Sequence, residues 1–124
     1  MKKTLILSLS LVIFIFVLSG CNGIKKISEV NVFEMESFSE VKEDSLVTFK
    51  EKNEIKQFKK AFSSAKKQPG IVDIADPQYK VILGEKSYFL WLSQEHGTIM
   101  NVEDTNTIYS LKDNSVEKLN NFFN

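Results

Sequence analysis

The chain has 124 residues, 16 lysines against 16 acids, no arginine and a single cysteine. Missing guanidinium forks argue against a dedicated nucleic-acid or phosphate module, and a balanced charge argues against strong steering to anionic lipid. A lone cysteine excludes an internal disulfide, so stability must come from apolar packing within one domain of ordinary size.

Met1-Lys2-Lys3 opens the chain, and an uncharged apolar run follows from Thr4 to Leu18, without proline or glycine. At about fifteen residues the run is short of the roughly 20 needed to span a bilayer as a helix. Basic start, apolar stretch and small residues before a break are the layout of a secretory signal peptide. An uncleaved anchor or a buried core helix explains the flanking lysines and the closing Ser-Gly-Cys less well. Leu18-Ser19-Gly20-Cys21 resembles the bacterial lipobox, in which the cysteine sulfur receives a diacylglyceryl group and the bond before it is cut. That resemblance makes residues 1–20 a lipoprotein signal peptide and Cys21 the lipidation site and first residue of the mature chain. Two acyl chains, palmitate among the fatty acids expected, supply the two signals that stable anchoring needs.

Removal of residues 1–20 leaves 104 residues, with 14 lysines against 16 acids, a formal charge of −2. Residues 21–26 read as a lipid-anchored tether, and residues 27–124 as a single domain. Ile27–Met35 and Ser45–Phe49 alternate β-branched and aromatic residues and are predicted strands, with an acidic loop between them. Glu51–Lys67 is predicted as a helix: Ile55, Phe58, Phe62 and Ala65 share one stripe. Asn53 is its predicted N-cap, Lys66 and Lys67 suit its C-terminal end, and Pro69-Gly70 stops it. Gln68–Lys80 is a shaped crossover rich in Pro, Gly and Asp. Tyr79–Leu83, a turn at Gly84–Lys86, Ser87–Ser93, Thr98–Val102 and Thr107–Leu111 then make further strands. Asn114 and Glu117 have capping-box spacing before a short helix with Val116, Leu119 and Phe123 inward. The predicted fold class is α+β, an antiparallel meander sheet with two helices packed on it.

Chemistry-bearing residues are sparse. His96 is the only histidine and reads as a solvated turn residue; serines lack a G-x-S-x-G turn, which leaves a hydrolase remote. With Cys21 lipidated, zinc lacks ligands. Asp73, Asp76 and Asp104 lack the dense spacing of a calcium loop, so no metal and no cofactor is expected. Tyr88-Phe89-Leu90-Trp91-Leu92 is apolar at every position, which means a strand covered on both faces or a second face used for binding.

Pro69-Gly70-Ile71-Val72-Asp73, Asp76-Pro77-Gln78-Tyr79, Tyr88–Leu92, Gly97-Thr98-Ile99-Met100-Asn101 and Asp104–Tyr109 follow one another in an order that resembles the small YhfM-type lipoproteins of Gram-positive bacteria, over roughly residues 45–123. The resemblance implies a domain lipid-anchored at the extracytoplasmic face of a cell membrane; it implies no activity and carries over no site. The expected function is a non-enzymatic binding module at the cell envelope, taking an envelope protein, peptide or wall component and no nucleic acid. Its candidate contact residues are Tyr88, Trp91 and Tyr109. The alternative is a small-ligand or ion-binding lipoprotein using the 68–80 loop, with Asp73 and Asp76, together with Asp104.

Overall fold

Alternating apolar residues build an antiparallel sheet, seen in a computed structural model that describes residues 27–69 and 74–123. Its strands are β1 (Val30–Glu34), β2 (Val47–Phe49), β3 (Lys66–Lys67), β4 (Tyr79–Leu83), β5 (Lys86–Leu92), β6 (Gly97–Asn101) and β7 (Tyr109–Ser110). Their order is β2-β1-β4-β5-β6-β7-β3. The fold is α+β: β4 to β7 form a meander, β1 joins it at β4, and helices α1 (Lys52–Ser63) and α2 (Asp113–Phe123) complete the layer. The signal-peptide and tether readings, residues 1–26, lie outside the described residues, as does Asp73. Among the described residues no helix is long and apolar enough to cross a membrane.

Gly84 and Glu85 make the β4–β5 turn, with positive φ (68°) at Gly84 alone of the two. That is the type II′ pattern, whose first central residue favours glycine because a Cβ there is strained. Register then assigns the faces, since directly paired residues share one. Val30, Val32, Val81, Leu90, Leu92 and Ile99 face the helices and are buried with Ile55, Phe58, Ala61 and Phe62 of α1 and Val116 and Leu119 of α2. Phe33, Phe89, Trp91 and Met100 point to the opposite face.

Several boundaries differ from expectation for local reasons. α1 begins at Lys52, not after Asn53: Glu51 is the N-cap, and its N–H donates to the Glu54 carboxylate at 3.4 Å. It ends at Ser63, because the Ser64 hydroxyl (2.7 Å) and N–H (3.1 Å) both donate to the Lys60 carbonyl. Lys66 and Lys67 therefore do not close the helix. They pair with Ser110 and Tyr109 as the far edge of the sheet, so the sheet is more than a meander. In α2 the Asn114–Glu117 spacing is not the cap; the helix starts at Asp113, and Val116 N–H donates to Lys112 O at 3.0 Å.

Gly97 is buried opposite Leu92. A Cβ there would lie 2.6 Å from Leu111 Cδ1 and 3.2 Å from its Cγ. Gly97→Ala is expected to cost about 1–3 kcal/mol by overpacking. The reading is a lower urea midpoint at unchanged slope; an unchanged midpoint would mean that Leu111 moves aside freely.

Candidate interaction surface

Tyr88 and Trp91 stand three positions apart on β5, so the strand's period of two sends them to opposite faces. Tyr88 is on the helix side, its ring 5.0 Å from Phe62. Tyr109 is on that side as well, paired with Ile99 and packed against the core. Trp91 is half-buried on the other face, where its Nε1–H donates to the Ala75 carbonyl at 2.8 Å. The three aromatics therefore do not meet in one patch.

The face that carries Trp91 is covered by the β1–β2 connection, residues 35–46. Ser37 organises its tip: the Ser39 and Glu40 N–H groups donate to the Ser37 hydroxyl at 3.3 and 3.2 Å. Ser45 ties its base, with its hydroxyl donating to Lys42 O (2.6 Å) and accepting from Glu34 N–H (3.1 Å). Between these anchors Phe38 folds down onto β5. Its ring meets Phe89 edge-on at 5.5 Å and Trp91 at 5.9 Å, geometries favoured by the ring quadrupoles. Phe89 and Met100 are buried there, apart from the helix-side core. The apolar stretch Tyr88–Leu92 of β5 is thus covered on both faces, by helices on one and by an acidic loop with an aromatic tip on the other.

That loop and the strand after it carry the exposed apolar surface. Phe38, Val41, Leu46 and Val47 are 38, 41, 51 and 52% exposed, the large hydrophobics left most open among the described residues. All four fall within ten residues of sequence, ending on β2, the edge strand whose outer side has no sheet partner among the described residues. Reading 36–44 as an acidic loop missed Phe38 and Val41, whereas Leu46 and Val47 fall in the stretch expected as a strand. The signal was present as single apolar residues set at intervals in an acidic stretch.

The acidic candidates do not converge. Asp76 is exposed before the Tyr79 end of β4, whereas Asp104 follows β6 at the other end of the sheet. Asp104 serves its own turn, its N–H donating to Asn101 O at 3.0 Å. No group of three or more His, Cys, Asp or Glu residues is placed to hold a metal among the described residues. His96 sits at the β5–β6 turn, where its N–H donates to the Ser93 hydroxyl at 3.1 Å. That hydroxyl donates to His96 O at 3.2 Å. Ser93 thereby caps a turn through backbone groups, and its bonds do not involve the imidazole. Beside it lies a groove of about 570 Å³ against α2, lined by Glu95, His96, Asp113, Glu117, Asn120 and Asn121 among others.

Two tyrosines are perturbed. Burial raises the Tyr79 phenol above its ordinary pKa, and the Glu34 carboxylate adds to the shift; burial and then Tyr109 do the same for Tyr88. A folded pKa above the unfolded one means that the native state holds its proton more tightly. Stability from these groups is therefore full below about pH 10 and is lost as pH rises through the raised values. Thermal midpoints should fall in that alkaline window. Tyr79→Phe, which keeps the stack on Phe123 (4.6 Å, 16°), should flatten part of the fall. An identical pH profile for the variant would contradict this.

The elements together define a small antiparallel α+β domain whose exposed large hydrophobics lie in and after the β1–β2 connection. The family described as YhfM protein matches residues 28–124, a span that takes in every strand and both helices of the described residues, and the chain belongs to that family. Searches of curated proteins and of solved structures gave no match.

Proposed function

We propose that this protein is a lipid-anchored extracytoplasmic lipoprotein that acts as a non-enzymatic binding module at the cell envelope, with residues 38–47 as its contact surface. The observation that carries the contact surface is the exposure of Phe38, Val41, Leu46 and Val47 within the ten residues that lead into the edge strand β2. Exposed apolar side chains beside unpaired main-chain groups suit an extended segment of a partner protein, which adds as a strand. The anchor rests on the lipobox resemblance at Leu18–Cys21.

A photo-crosslinker placed at Leu46 in living cells tests the contact surface. A discrete adduct is expected from position 46 and none from exposed Asn121 on α2. The same adducts from both positions would remove the surface from consideration. A small-ligand reading is favoured by one observation, the groove beside His96 and α2. It requires a ligand-induced rise in melting temperature that Glu117→Gln weakens and Leu46→Asp leaves unchanged.

A further inference from the structure

Four lysines of α1, Lys52, Lys56, Lys59 and Lys60, are exposed at offsets of four, seven and eight, with exposed Ser63 at eleven. These offsets place all five on one helix face, beside the stripe of Ile55, Phe58 and Phe62 that enters the core. Among the described residues none of these lysines is in an ion pair; the Lys42–Glu34 pair lies elsewhere. The same lysines line a groove of about 460 Å³ together with Ile27, Ile55 and Ser63.

Ile27 is where the described domain meets residues 21–26. Six residues reach at most about 20 Å even when fully extended, and screening in physiological salt sets in over about 8–10 Å. A lipid on Cys21 would therefore hold the lysine face within a few Debye lengths of the bilayer, and Lys25 and Lys26 in the connecting stretch add charge of the same sign. The balanced total conceals this segregation. Glu36, Glu40, Glu43 and Asp44, against Lys42 alone, belong to the loop that packs through Phe38 on the other face of the sheet.

We propose that the lysine face of α1 docks on anionic lipid headgroups of the membrane that holds the anchor. This rests on the lipid-anchor reading and deepens it. The domain is held by charge as well as by lipid, contrary to the expectation from net charge alone. Docking fixes its orientation: the lysine face of α1 meets the bilayer, and the acidic loop that packs through Phe38 on the other face of the sheet points away from it. Each lysine at an anionic surface strengthens association about fivefold, so the four together hold a tethered domain down strongly at low salt and weakly at high salt.

The test uses the full-length protein, lipidated in cells and reconstituted into vesicles of phosphatidylcholine, alone or mixed with phosphatidylglycerol. A fluorophore is attached at Ser63→Cys or, separately, at Glu43→Cys, and a quencher is carried on the lipid headgroups. Flotation with the vesicles is scored first. With phosphatidylglycerol present, quenching should be several-fold greater at position 63 than at position 43. The difference should shrink with added salt and vanish when Lys52, Lys56, Lys59 and Lys60 are changed to Gln. Equal quenching at the two positions, or a difference that survives the four substitutions, overturns the proposal. Failure to float overturns the anchor and this inference with it, whereas flotation without the quenching difference overturns the inference alone.

Discussion

Phe58→Ala is expected to destabilise the domain by about 3–5 kcal/mol, the usual range for removing a buried phenylalanine. Phe58 is 0% exposed at the centre of the helix layer. The rings of Phe49 (5.2 Å), Phe122 (5.6 Å), Phe62 (6.2 Å) and Phe123 (6.2 Å) surround it. These come from β2, α1 and α2, so no single element can move in to fill the space. Natural domains retain only about 5–15 kcal/mol in total, and a domain of this size loses about 4–8 °C of melting temperature per kcal/mol. Calorimetry should therefore show a midpoint at least about 12 °C lower, or no folded population at growth temperature. Phe58→Leu, which keeps most of the volume, should cost less than about 1.5 kcal/mol. Equal losses from the two variants would contradict the cavity explanation.

The parts of the fold that were legible from residues alone are those with strong local periodicity. Ile55, Phe58 and Phe62 repeat at helical spacing, and they are the buried face of α1. Tyr79–Leu83 and the stretch after Gly84 are apolar, β-branched and aromatic runs on either side of a glycine that needs positive φ, and they are β4 and β5. β3 was not legible, because Lys66-Lys67 has no strand preference of its own and is a strand only because β7 leaves an edge to pair with. The joining of β1 to β4 across more than forty residues left no local trace either.

The candidate site shows the same division. Tyr88 and Trp91 were separable by parity, but five apolar residues in a row hide which face is which until the cover on each side is known. Phe38 sat in a stretch whose charge pointed to solvent, and its packing on Phe89 depends on a backbone excursion held by Ser37 and Ser45. The charge of the lysine face was plain in the sequence; its nearness to Ile27 was not, since that is a tertiary contact.

The proposed orientation and docking face both rest on the proposed lipid at Cys21. Each buried methylene contributes about 0.8 kcal/mol, so one acyl chain binds only marginally and two bind stably. Under the proposed anchor, replacing the sulfur removes both at once, which makes Cys21→Ala the substitution with the largest expected effect on where the protein resides. Loss of label is the cleaner readout, because an unprocessed chain would keep its apolar N-terminal stretch and could still sediment with membranes. The most direct measurement is metabolic labelling with a fatty acid, with an intact mass of the protein recovered from the membrane fraction. The expected result is a labelled chain that begins at Cys21 and carries a diacylglyceryl group, with label reduced to background in Cys21→Ala. A chain with unmodified Cys21, or label that persists in Cys21→Ala, would contradict it.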